Sequence, residues 1–445
     1  MNTETYVSTF IGKMKAKTLT VGIIGLGYVG LPLAQAFCAQ SINVIGFDID
    51  QEKINLLKTG KSYIKHISNE VIASFTSNGL FNATSDFSRL TEVDVIIICV
   101  PTPLSKYREP DLGPVLTTGH SIAQHLLRGQ FIVLESSTYP GTTDIELAAV
   151  LEKSGLKVNK DFFLAYSPER EDPGNMSFST ATIPKIVGAD TEGARQMAVA
   201  LYEGVIESVI AVQNSRTAEA VKLTENIFRS VNIALVNELK VIFDAMGIDV
   251  WDVINGAATK PFGYMPFYPG PGLGGHCIPI DPFYLTYKAR EFDVPTRFIE
   301  LAGEINTNMP HLVISKLSQA LSLHAKKSVN GSKILIVGMA YKKNIDDMRE
   351  SPSLVITELL ENLGACVDYY DPFVPVIPHT RHHNKLAGRE SKDWNEIAID
   401  SYDAILISTA HDNIEYQLLA DQAQLIVDTR NVMSGIQGNA TVVKA

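Results

Sequence analysis

Cys277 stands in the run Pro269-Gly270-Pro271-Gly272-Leu273-Gly274-Gly275-His276-Cys277-Ile278-Pro279-Ile280-Asp281-Pro282, and the same chain carries Gly25-Leu26-Gly27-Tyr28-Val29-Gly30 near its start. A thiol on a glycine-packed loop, together with a dinucleotide fingerprint, is equipped for oxidation past the aldehyde. Sulfur can hold the carbonyl carbon covalently while a second hydride leaves. A free thiol titrates near about 8.5, so at pH 7 only about 3% is thiolate without help. Neighbouring residues of an extended loop point apart, which counts against His276 as the source of that help. Asp281 and Lys222 stay open as alternatives, and the plainer reading is a glycine turn with an incidental Cys.

A G-x-G-x-x-G match alone is weak. Here it follows the apolar run Thr20-Val21-Gly22-Ile23-Ile24, opens the helical pattern Leu31 to Ala39, and is followed by Asp48, 18 residues beyond Gly30. That is where a ribose-binding carboxylate belongs. Gly25, Gly27 and Gly30, with Tyr28 and Val29 between them, let backbone N–H groups approach a pyrophosphate at a helix N-terminus. Asp48 accepts from a 2′-hydroxyl and repels a 2′-phosphate, so the expected cofactor is NAD.

Lys222 and Asn226 lie four apart on a long helical pattern and emerge on one face, with Glu219 on the same stripe. Such a trio is commonly a solvated face. Asn is a poor helix former, however, and a cation beside an amide donor suits the holding of an oxyanion.

Strand-like runs at 20–24, 43–48, 93–100 and 131–135 alternate with helical sequence, which implies a parallel doubly wound sheet. Residues 215–246 read as one helix, with Ser215 as N-cap and Gly247 at its end. A second alternation begins at 333–340 and continues through 367–372, 404–408 and 425–428, keeping a single fingerprint glycine, and so points to a different nucleotide. The expected class is α/β: two Rossmann-like doubly wound domains joined by a long central helix. The expected division is 1–214, a NAD-binding Rossmann domain; 215–320, a helical spine with the Cys loop; and 321–445, a Rossmann-like domain that the family resemblance given below makes UDP-sugar-binding. The spine is expected to pair two copies into a homodimer or a higher homo-oligomer.

Forty-five per cent of the 445 residues are hydrophobic and 20% are charged, enough for several proper cores. The net charge of −11 comes without a Lys/Arg block, which argues against a nucleic-acid or membrane-surface partner. A local cluster such as Lys342, Lys343 and Arg349 must then meet any dianionic ligand. No apolar stretch is long enough to span a bilayer or to serve as a signal core, so a cytoplasmic protein is expected. The four cysteines, at 38, 99, 277 and 366, show no metal-ligand spacing, so no metal is expected, and Cys38, Cys99 and Cys366 read as small buried hydrophobes.

Taken with Val100-Pro101-Thr102-Pro103, Ser137-Thr138, Pro140-Gly141-Thr142-Thr143, Ser167-Pro168-Glu169-Arg170, Glu225-Asn226, Gly274 to Cys277, Asp281-Pro282 and Asp347-Met348-Arg349-Glu350-Ser351-Pro352, the chain resembles the UDP-glucose/GDP-mannose dehydrogenase family. The resemblance runs from about residue 20 to the C-terminus. It implies oxidation of a UDP-sugar's C6 hydroxyl to a carboxylate with two NAD+ and one water. It makes Cys277 the nucleophile, through a thiohemiacetal and a thioester, and Lys222 and Asn226 the oxyanion pair. Glu169 would activate water, and Asp281 and Thr138 would position it. Thr102, Thr138 and Arg349 would line the cofactor side. Glu169, Arg170, Lys222, Asn226, Lys260, Gly274 and Lys342 would contact substrate.

One departure narrows the branch. The UDP-glucose enzymes of the family carry a second Glu where this chain has Pro173. Ser-Pro-Glu-Arg with Gly-Gly-His-Cys resembles the branch acting on UDP-N-acetylhexosamines, and the runs Ser62 to Ile67 and Lys260 to Phe267 resemble its UDP-N-acetylglucosamine members. The UDP-N-acetylmannosamine and UDP-N-acetylgalactosamine enzymes are the alternatives. A two-electron β-hydroxyacid dehydrogenase needs neither the thiol nor residues 330–445. A silent nucleotide sensor would not need every chemical position filled.

Overall fold

The computed structural model describes residues 3–64, 67–105, 107–170, 182–275 and 278–445. Its contacts divide the chain into two compact units, Met1–Glu225 with Phe283–Val294, and Asn226–Pro282 with Pro295–Ala445. The three-part division expected from sequence sets its seams elsewhere, because the long helix Ser215–Ala245 contributes one end to each unit.

The first unit holds β1 (Thr20–Ile24), β2 (Asn43–Phe47), β3 (Phe81–Thr84), β4 (Val95–Ile98), β5 (Phe131–Leu134), β6 (Phe163–Tyr166), β7 (Lys185–Gly188) and β8 (Val209–Val212). They form one sheet in the order β3-β2-β1-β4-β5-β6-β7-β8. The order reverses beside β1, which places a crevice at the carboxyl edge where the glycine loop lies. Val21, Val95, Phe131 and Val133 pack on one face, and Ile96, Ile98, Ile132 and Leu134 on the other. Burial on both faces is why these strands read as unbroken apolar runs.

Strands β3, β6, β7 and β8 go beyond the sequence reading. β7 opens on a lysine, and β8, although Val-Ile-Ala-Val in sequence, is a half-exposed edge. β7 also runs antiparallel to β6, with Tyr166 opposite Gly188.

The second unit contains β9 (Lys333–Val337), β10 (Cys366–Tyr370), β11 (Ala404–Ile407), β12 (Leu425–Asp428) and β13 (Thr441–Lys444). They pair in parallel in the order β10-β9-β11-β12-β13. The fold is therefore the expected α/β type, with two Rossmann-like domains linked by a central helix.

Two local expectations are corrected. Asn214, not Ser215, caps the long helix: its side chain accepts from Thr217 N at 2.8 Å, while Ser215 donates to Asp190 at 3.0 Å. An Asn one residue earlier fits the preference for a short acceptor just outside the first turn. Cys366 is exposed rather than buried, because β10 is an edge strand, and Cys99 is half-buried. Gly247 does end the helix, with a left-handed φ of +70°.

Candidate active site

Gly25 has a φ of +93°, and a Cβ there would stand 2.5 Å from the Cys99 carbonyl oxygen. At Gly30 a Cβ would come within 1.9 Å of the Gly25 oxygen, while Gly27 faces open space. Two of the glycines thus pack the turn and the third leaves its outer side clear. The helix Gly30–Ala39 has no side-chain cap, and its positive end faces the glycine loop, with Leu31 N turned onto the Gly27 carbonyl at 3.1 Å. The buried Asp48 accepts from Leu26 N and Asp50 N, both at 2.9 Å, and Lys53 Nζ lies 3.6 Å away. These residues fit NAD: the loop and helix end suit the pyrophosphate, and Asp48 suits the ribose diol.

Thr102 and Thr138 are buried at this edge. The Thr102 carbonyl accepts from Tyr284 OH at 2.6 Å, and the Thr138 hydroxyl donates to Thr142 Oγ1. Glu169, just beyond β6, accepts from Arg170 N at 2.7 Å, and its backbone carbonyl accepts from Lys222 Nζ. Lys222 is itself buried, so the structure joins two of the predicted catalytic residues. Arg170 pairs with Glu225 at 2.6 Å.

In the second unit Asn226 and Asp281 are fully buried, and the Asn226 amide donates to Asp281 Oδ2. Arg229 donates to the Asn226 side-chain oxygen. A carboxylate on one side and a guanidinium on the other fix which way the amide points. Gly274 and Gly275 lie against Tyr341: a Cβ at Gly274 would meet Tyr341 Cβ at 2.4 Å. Gly275 N donates to the Arg349 carbonyl at 2.8 Å, so the loop before the thiol is held by the second α/β module. The Arg349 side chain pairs with Asp347 at 2.6 Å, Lys343 with Asp412 at 3.2 Å, and Lys342 is half-buried. Lys260 is exposed, over the Phe262 ring. His276 and Cys277 lie outside the described residues, as do Lys65, His66 and residues 171–181.

The second module's own turn is built differently. Gly338, with a φ of +88°, is the surviving glycine, and Ala340 and Lys343 hold the places of the other two. Asp371, after β10, accepts from Met339 N at 2.6 Å and Ala340 N at 2.9 Å, and faces His411 at 3.1 Å. Burial works to raise the Asp371 carboxyl, but the hydrogen bond and charge of His411 prevail and hold it below its ordinary value.

Family models of the UDP-glucose/GDP-mannose dehydrogenases match the chain in three consecutive pieces: the NAD binding domain over 19–206, the central domain over 216–308 and the UDP binding domain over 335–435. The chain belongs to the UDP-glucose/GDP-mannose dehydrogenase family. It is accordingly an NAD-dependent nucleotide-sugar dehydrogenase, with a UDP-sugar as its substrate class. It is 36% identical to a Pseudomonas aeruginosa protein named UDP-N-acetyl-D-glucosamine 6-dehydrogenase, over 89% of this chain and 91% of that one. It is 34% identical to a Pyrococcus horikoshii UDP-N-acetyl-D-mannosamine dehydrogenase, over 93% and 96%. The solved structure of a UDP-D-ManNAc dehydrogenase from Pyrococcus horikoshii superposes with a TM-score of 0.86 at 32% identity, over 96% of this chain and 99% of that one. Among the described residues of this dehydrogenase, no group of three or more His, Cys, Asp or Glu is placed to hold a metal, and no helix is long and apolar enough to cross a membrane.

Glu219 departs from the solvated stripe that spacing alone implies. It is fully buried, and its carboxylate accepts from Gly141 N at 2.8 Å, Thr143 N at 2.9 Å and Thr143 Oγ1 at 2.6 Å. It therefore ties the long helix to the loop that carries Thr138. Burial pushes its carboxyl up to about 8 against those three donors. A folded-state value above the unfolded one makes this group stabilising at low pH. Its contribution is whole below about pH 4.5 and falls by about 1.4 kcal/mol per unit until about pH 8. A Glu219→Gln variant is expected to lose that slope, besides about 1–3 kcal/mol for the donor its amide nitrogen cannot satisfy. Urea midpoints at pH 5 to 8 check this, and parallel curves for the two proteins would refute it.

At the cofactor loop an Asp48→Asn variant, with Lys53 still beside it, is expected to narrow the preference for NAD+ over NADP+ by on the order of tenfold to a hundredfold, about 1.4 to 2.8 kcal/mol. Titration calorimetry with both cofactors measures this directly. An unchanged ratio of dissociation constants would remove Asp48 from cofactor selection.

Proposed function

We propose that this enzyme oxidises the C6 hydroxyl of a UDP-N-acetylhexosamine, UDP-N-acetylglucosamine in the first place, to the uronic acid. The observation that carries the reading is the pair of side-chain arrangements one helical turn apart: Lys222 on the Glu169 carbonyl, and Asn226 held between Asp281 and Arg229. NAD+, when held by the Gly25 to Gly30 loop and Asp48, would supply the acceptor for the hydride that carbon 6 loses in each of two oxidations. The Cys277 thiolate bonds to the aldehyde carbon between them, giving a thiohemiacetal and then a thioester. Lys222 and Asn226 supply donors to the oxygen that gains charge. Glu169 takes a proton from the water that cleaves the thioester, and the thiol is restored as the carboxylate departs. Thr138 and Asp281 position that water and the base.

The sugar rests on Pro173, on the Gly-Gly-His-Cys sequence and on the relative named for UDP-N-acetyl-D-glucosamine. UDP-N-acetylmannosamine is the second reading, supported by the relatives and the solved structure named for it. A panel of UDP-sugars assayed with NAD+, counting NADH per sugar consumed, decides between them. A ratio of one with every sugar would end the thioester route. The product, an anionic sugar on a nucleotide carrier, fits a precursor of surface polysaccharide.

The same reading makes the enzyme a dimer, or a multiple of one, through the long helix. Phe228, Leu235 and Ile242 on it, spaced by seven and so on one face, are each about half exposed, an apolar stripe that a second copy would cover. Sedimentation at micromolar concentration is expected to give at least twice the chain mass, and a purely monomeric boundary would contradict it.

A further inference from the structure

Behind Glu169 lies a buried charged cluster that the mechanism above does not use. β5 ends at Leu134 and delivers Glu135, while β7 begins with Lys185. Both side chains are almost wholly buried, at 0% and 4% exposed, and Lys185 Nζ donates to Glu135 Oε2 at 2.9 Å. The other Glu135 oxygen accepts from Tyr202 OH, and the Lys185 ammonium lies over the Tyr202 ring, 5.1 Å from its centroid. The same ammonium stands 3.6 Å from Glu169 Oε2, in a side chain that is 16% exposed.

The topology explains how a strand's first residue reaches the carboxyl edge. β7 runs against β6, and extending the register from Tyr166 opposite Gly188 by three residues each way sets Glu169 opposite Lys185. Burying an ion pair costs more than it returns unless it is well bonded, so a cluster like this is weak evidence for stability as its purpose. Placing one fixed cation beside a carboxylate does have a chemical effect: it favours the charged form and restricts the rotamers that the carboxylate can adopt.

We propose that Lys185, anchored by Glu135 and Tyr202, is the positioning residue that orients the Glu169 carboxylate and keeps it ionised for proton abstraction from water. This rests on the water-activating role read for Glu169. The other groups facing Glu169 are Glu135 just beyond β5 and the Cys99 thiol beyond β4, with the Lys222 ammonium on its backbone carbonyl. The neighbouring Arg170 is engaged by Glu225 and by the Pro184 carbonyl. Burial works to lower the Lys185 ammonium, but Glu135 and Glu169 together hold it above its ordinary value, so it stays a cation across the working range.

The test follows thioester hydrolysis from pH 5 to 9 by quenched-flow intact-mass measurement of the acyl-enzyme, in the full chain with NAD+ and its UDP-sugar. Lys185→Met alone would strand Glu135 as a buried charge, so Lys185→Met/Glu135→Gln removes both charges together. The double variant is expected to slow hydrolysis at pH 7 by on the order of tenfold to a hundredfold relative to formation of the acyl-enzyme. Relative to Glu135→Gln alone, its acid limb should move to higher pH by about one unit, and Lys185→Arg should keep the limb near wild type. An unmoved limb in the double variant, or equal slowing of formation and hydrolysis, would overturn the proposal. Glu169→Gln hydrolysing at the wild-type rate would overturn the reading of Glu169 and this proposal with it, so the two failures are distinct.

Discussion

A Glu169→Gln enzyme mixed with NAD+ and its UDP-sugar is expected to form its thioester and then stop. Removing a positioned general base costs typically about 10² to 10⁴ in rate, and here the loss falls on hydrolysis alone. The amide keeps the volume of the carboxylate, and the backbone carbonyl that receives Lys222 is untouched, so the earlier chemistry survives. Intact-mass spectrometry should find the sugar adduct on the chain, and tandem fragmentation should place it at Cys277. A second substitution, Cys277→Ser, should abolish the thioester-linked mass. If Glu169→Gln releases product at the wild-type rate with no adduct, water activation belongs to another group.

The second large effect concerns Lys222. Its ammonium is buried and fixed by the Glu169 carbonyl, so it costs little reorganisation when charge develops nearby. Loss of one such donor is worth about 2.7–4 kcal/mol, or 10² to 10³ in kcat. Lys222→Met, which keeps the stem and removes the charge, is therefore expected to cut kcat by that factor while the KM for the sugar changes by less than about fivefold. Steady-state kinetics on the purified variant settles it. A rise in KM at unchanged kcat would make Lys222 a binding residue and nothing more.

Much of this was open to reading because the informative residues are locally ordered. The glycine loop and Asp48 announce themselves by spacing, since a turn, a helix start and a strand end must follow in sequence. β4 and β5 are apolar on both faces, so their strands are plain. Lys185 gives no such signal: it comes within 3.6 Å of Glu169 on a strand that pairs antiparallel to β6 at Tyr166 and Gly188, a long-range pairing that periodicity does not carry. Arg229 was within reach, standing three residues after Asn226 on the same helical stripe. Glu219 shows the opposite error, because helical spacing places a side chain on a face without saying whether that face meets water or a loop from another part of the sheet.

The turn after β9 differs from the one after β1 in its side chains: a methyl and a lysine stem occupy the places that glycines hold after β1, while Asp371 takes the Met339 and Ala340 amides much as Asp48 takes that of Leu26. Two lobes of similar architecture therefore do not compete for one coenzyme. The difference lies in side-chain bulk at the turn, not in the carboxylate, which both lobes share.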